Sequence, residues 1–178
     1  MNESLLYISI IGSVWVLWSY YHLFKNESVK IWGGLVDGWL LSWNVSFILT
    51  VASYLVLLVF NIWHTDEKYE PILCLLYSWF LFSANQLSYI VWVDAKNDKK
   101  LDALCGLSFV FINLVDTVCA SIGLLVMAMV SSSGDELGMA SIGSGVTMVL
   151  HNIVFAWIWN RGTKSVQGGV KSETNLYF

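Results

Sequence analysis

The chain has 178 residues, of which 57% are apolar and 12% charged, about half the roughly 25% charged content of a soluble domain. A formal net charge of −4 with no clustered basic face excludes a nucleic-acid-binding surface, and the apolar bulk excludes an ordinary soluble fold. What remains is a single all-α integral membrane domain, predicted to cover residues 1–166 and to be followed by a flexible tail at 167–178.

Five apolar stretches follow in order: 4–24, 35–63, 72–93, 101–130 and 139–159. Each has about 20 residues or more, enough for a helix to cross roughly 30 Å of hydrocarbon. The first opens with no basic residue and has no exposed small-residue cleavage site around Gly12-Ser13-Val14, so it reads as a retained helix rather than a signal peptide. The connection at 25–34 carries Lys25 and Lys30, and that at 64–71 ends on Pro71, the only proline, well placed to open the third helix. The connection at 94–100 carries Lys96, Lys99 and Lys100. Ser131–Gly138 joins the last two spans, and the tail holds Arg161, Lys164 and Lys171. Short connections predict that consecutive helices are antiparallel neighbours in an up-down bundle.

Eight of the nine basic residues fall on one side of this alternating map, Lys68 being the exception. Basic residues stay in untranslocated loops, so the N-terminus is expected outside and the C-terminus in the cytosol. The outer side then holds Glu3, Asp66, Glu67, Glu70, Asp135 and Glu136 against that single lysine, a balance that would concentrate cations. Trp15, Trp18, Trp32, Trp92, Trp157 and Trp159 near one boundary and Trp63 and Trp79 near the other form an interfacial belt. The small residues Gly138, Ser141, Gly143, Ser144 and Gly145 mark a close helix contact on the fifth span, within the bundle or in a homo-oligomer. Cys74, Cys105 and Cys119 all lie in spans without a CxxC pattern and read as packing residues. None of the NxS matches at Asn2, Asn26 and Asn44 falls in an accessible outer loop, and the final Glu173–Phe178 resembles an engineered protease remnant departing at Thr174.

The informative residues are those that hydrocarbon should exclude. Counted from the cytosolic end of each span, Asn44, Asn85, Gln86, Asn113, Asp116, His151 and Asn152 fall roughly 12–22 Å deep, predicting one polar layer across four helices. Asp116 is the sharpest of them, because a mid-bilayer carboxylate is costly and marks a functional position. His151 is its expected partner. Trp39, Trp43 and Tyr89 would line any cavity beside the layer. His22, His64 and His151 lie at different depths and exclude a shared histidine metal site, no lysine lies inside a span to hold retinal covalently, and no serine–histidine protease signature on facing helices is evident. The expected function is passage of protons or small cations, with Asp116 and His151 as titrating or coordinating groups and the amides as ligands. The alternatives are a pocket or enzyme for a lipid, sterol or pigment, and a non-catalytic membrane assembly subunit.

Overall fold

Apolar sequence in a medium without water leaves backbone groups only each other as partners, and helices result. The computed structural model describes residues 2–26, 37–97, 103–104 and 107–167, with side chains at 2–21, 45–86 and 112–154. Five helices follow one another: α1 (Glu3–Asn26), α2 (Asp37–His64), α3 (Glu70–Asn97), α4 (Phe109–Ser131) and α5 (Glu136–Gln167). Segments of α1, α2, α4 and α5 (Glu3–Tyr21, Val45–His64, Ile112–Ser131 and Glu136–Val154) are long and apolar enough to cross a membrane. The chain therefore has the helices of a membrane protein. α3 is also long, at 28 residues, with side chains described as far as residue 86.

Two boundaries differ from the apolar runs. α4 starts at Phe109 rather than at 101, after a short antiparallel pairing of Ala103 with Ser108 and Leu104 with Leu107. Two residues separate the inner pair, Cys105 and Gly106, and glycine is what such short connections favour. α5 runs to Gln167, eight residues past the apolar stretch, because an established helix extends at little cost where no proline intervenes.

The helices do not pack in chain order. Close packing runs from α1 to α3, then α4, α5 and α2, while α2 approaches α1 more loosely and leans on α4. Consecutive neighbours are thus kept for α3–α4 and α4–α5, whereas α1 has α3 as its main partner. Gly12 makes this possible: a Cβ there would lie 2.5 Å from Leu81 Cδ1, so α3 seats Leu81 where α1 has no side chain. Ser19 bonds Asn85 further along, and residue numbers rise together, so α1 and α3 are parallel. α1 and α2 are antiparallel, with Ser13 against Tyr54 and Tyr20 against Phe47. The same holds for α4 and α5, where Ser121 meets Asn152 and Leu125 meets Gly145.

The core lies where the ring closes, around Leu57, Leu73, Tyr77, Leu124 and Met148, all fully buried, with Tyr54 stacked on Phe80 at 5.7 Å. α1 contributes little beyond Leu5 and turns Tyr7, Trp15, Trp18 and Tyr21 outward. Trp63 and Trp79 are exposed too, as interfacial anchors would be. The turn before α5 is held by Asp135, whose Oδ1 accepts from the Gly138 amide at 2.7 Å, and by Gly134 at a φ of 81°, which glycine adopts without strain.

Two glycines on α5, two residues apart, separate inward from outward. A Cβ on Gly145 would meet Leu125 Cδ1 at 2.8 Å and its Cα at 3.2 Å, whereas one on Gly143 would meet nothing within 4 Å. Gly145→Ala is expected to lower unfolding stability in detergent by about 1–3 kcal/mol. Gly143→Ala should raise it by up to about 1 kcal/mol through helix propensity, and melting curves of the two variants check both signs. Asp135→Ala should cost about 1 kcal/mol by removing the cap, measured the same way.

Candidate functional site

Polar side chains inside the bundle occur as links between specific helices. At the Asn2 end, Asn61 of α2 is fully buried and donates through Nδ2 to the Tyr77 hydroxyl of α3 at 2.9 Å, while its Oδ1 accepts from Thr65 at 3.1 Å. Asn2 seats the start of α1 on the same spot: its amide donates to the Ile62 carbonyl at 3.1 Å and its side chain to the Asn61 carbonyl at 3.3 Å. These carbonyls belong to the last turn of α2, where a helix has no intrahelical donors left. Asn2, in the first NxS match, is consequently buried.

Deeper in the bundle three strong polar groups each meet a hydroxyl on another helix. Ser19 of α1 donates to Asn85 Oδ1 of α3. Ser46 of α2 lies 2.7 Å from His151 Nδ1 of α5, with the Phe47 ring 6.3 Å from the imidazole. Asn152 of α5 donates to Ser121 of α4 at 2.7 Å. His151 and Asn152 are adjacent in sequence yet face different helices, because successive residues diverge by about 100° around a helix. Ser46 with His151 is thus a link between α2 and α5.

Asp116 stands apart. It is half-buried and, among the described residues, makes no hydrogen bond or ion pair. His151, its expected partner, is turned to Ser46. Asp116 shares a stripe of α4 with Ala120 and Gly123, and Leu76 of α3 fills the space at Gly123, 2.5 Å from where a Cβ would be. Asp116 thus lies on the α3 side of α4, about 140° around the helix from Ser121 and two turns, about 10.5 Å, from the Leu76 contact. The same distance along α3 reaches Ser83, whose hydroxyl donates back to the carbonyls of Trp79 at 2.8 Å and Phe80 at 3.1 Å. Among the described residues, no side-chain hydrogen bond joins α3 to α4.

The seven expected residues are thereby spread over several contacts between helices. Asn85 faces α1, His151 faces α2, Asn152 faces α4 and Asp116 faces α3. Asn113 is half-buried one turn from Asp116, and its carbonyl accepts from Thr117 at 2.8 Å. Gln86 is half-buried on α3. The side chains of Asn44, Trp39, Trp43 and Tyr89 lie outside the described residues. Asn61 and Tyr77 were not singled out from the sequence, although an amide inside the apolar run of α2 was the available signal. Among the described residues no group of three or more His, Cys, Asp or Glu side chains is placed to hold a metal ion.

Removing one partner of a buried link leaves the other unsatisfied. Asn61→Leu is expected to cost about 1–3 kcal/mol of stability in detergent. Adding Tyr77→Phe should recover part of that loss, because the orphaned hydroxyl goes too. A double-mutant melting series checks the pair.

No protein-family model, no curated protein and no solved structure matches this chain.

Proposed function

We propose that the protein is a five-span membrane channel or transporter for protons or small cations, with Asp116 as the group that binds the ion. One observation carries this reading: a mid-span carboxyl lies half-buried at a helix contact with no hydrogen bond or ion pair among the described residues. A carboxyl serving only to hold helices together would be expected to have a partner, as Asn85, His151 and Asn152 do. The slim stripe Ala120–Gly123 beside it would give an ion a route along α3 and α4 towards the Asn2 end only with Leu76, which fills the space at Gly123, moved aside. Movement of Leu76 out of this position would open that end, giving access to Asp116 from alternate sides.

In this reading α3 is the fifth span, the N-terminus is outside, and the acidic residues of the Asn2 end face the side from which cations are drawn. The links made by Asn85, His151 and Asn152 hold the helices around the route. Of the glycines on α5 at 138, 143 and 145, Gly143 is the one with open space beside it, so a homo-oligomer using this helix would meet there.

Reconstituted protein should carry ion current or pH-gradient dissipation in liposomes under an imposed potential. Asp116→Asn, verified as folded by its melting curve, should lower the flux at least about tenfold, with Asp116→Glu retaining most of it. Equal flux in wild type and Asp116→Asn would reject the assignment. Reporter fusions at the two ends test the orientation: an N-terminal reporter should be active outside and a C-terminal one inside.

A further inference from the structure

We propose that the Gln167 end of α5 is a binding site for an anionic lipid headgroup, with Arg161 and Lys164 taking its phosphate. The inference goes beyond the transport reading and does not depend on it. It comes from the length of α5, its register and the charge at its end.

The helix has 32 residues and rises about 48 Å, well beyond the roughly 30 Å of hydrocarbon. Its apolar stretch closes at Trp159, and the helix continues without a break to Gln167. The added turns therefore enter the headgroup layer, roughly 5–8 Å deep. Arg161 and Lys164 follow Trp159 by about 3 Å and 7.5 Å along the axis, so both fall inside that layer. Trp157 and Trp159 fall at the boundary itself, the level that indoles favour.

Register places these residues on the lipid side of the helix. Val146, Leu150 and Ile153 are exposed, while His151 turns to α2 and Asn152 to α4. At about 100° per residue, Trp157, Arg161 and Lys164 continue the line of Val146, Leu150 and Ile153. That line lies away from both neighbouring helices.

No acidic residue follows Glu136 on α5. Followed along both helices from the Ser46–His151 contact, Asp37 at the start of α2 comes level with Asn160. It lies on the α2 side, about 80° around α5 from Arg161 and 140° from Lys164. Two cations at phosphate level on a lipid-facing line therefore take their counter-charge from the bilayer. A phosphatidylcholine phosphate brings its own ammonium, so a net anionic headgroup is the better complement. A guanidinium can take two phosphate oxygens at once, and an ammonium adds a point charge.

The full chain in detergent is titrated with phosphatidylglycerol and with phosphatidylcholine of the same acyl chains, and bound lipid is counted by native mass spectrometry. Phosphatidylglycerol should be retained at least about fivefold more, the factor that one basic residue near an anionic surface contributes. Arg161→Gln with Lys164→Gln should bring the ratio close to one. Lys99→Gln with Lys100→Gln, an equal loss of charge, should leave it unchanged. Raising the ammonium acetate concentration should lower the wild-type ratio, a readout that needs no variant. Equal retention of the two lipids by wild type would overturn the proposal. So would a ratio indifferent to salt, an unchanged ratio in the Arg161 and Lys164 variant, or an equal drop in both variants.

Discussion

Everything in this bundle follows from the lack of water in hydrocarbon. A buried polar atom there must find a partner on the protein itself, and several of the partners found are on neighbouring helices. Asn61 joins α2 to α3, Asn2 seats α1 on α2, Ser19 with Asn85 joins α1 to α3, Ser46 with His151 joins α2 to α5, and Ser121 with Asn152 joins α4 to α5. Each such bond is modest, about 0.5–2 kcal/mol in membranes. Their value lies in fixing which helix sits next to which, since lipid tails are as apolar as leucine and hydrophobic burial cannot choose between arrangements.

Parity adds a second constraint. Five helices that alternate in direction cannot close a ring with every contact antiparallel, so one neighbouring pair has to be parallel. Here it is α1 and α3. The pair is tolerated because small residues on α1, Gly12 and Ser19, let α3 come close and give its Asn85 a donor. α1 pays little attention to the rest of the bundle and turns most of its aromatic residues outward, as suits a helix attached along one narrow stripe.

Among these polar groups Asp116 is a carboxyl with no hydrogen bond or ion pair to the described residues, and the proposed function rests on it. Amides and hydroxyls placed in a bundle can serve structure alone. Asp116 faces a contact where the neighbouring serine bonds its own backbone. Among the described residues the contact it faces is held by shape, Leu76 against Gly123, and packing contacts can slide or separate without breaking a buried hydrogen bond. A route that must open during transport fits that contact better than one locked by a polar link.

The sequence by itself determined the helical class and the approximate position of the helices, because helix length and polarity are local properties of the chain. The boundaries at Phe109 and Gln167 escaped it, since hydropathy reports where a chain is apolar and not where its helix begins or stops. Tertiary structure alone decided the partners. His151 and Asp116 lie at compatible depths, and depth suggested a pair. Rotation around the helix axes sent His151 to Ser46 and left Asp116 facing α3. Asn61 escaped notice for a related reason: one amide near the end of an apolar run looks like a boundary residue until Tyr77 and Asn2 are brought to it from other helices. Depth depends on position along one helix, whereas contact depends on the packing of five, and only the second is settled by how Gly12, Gly123 and Gly145 let their neighbours approach.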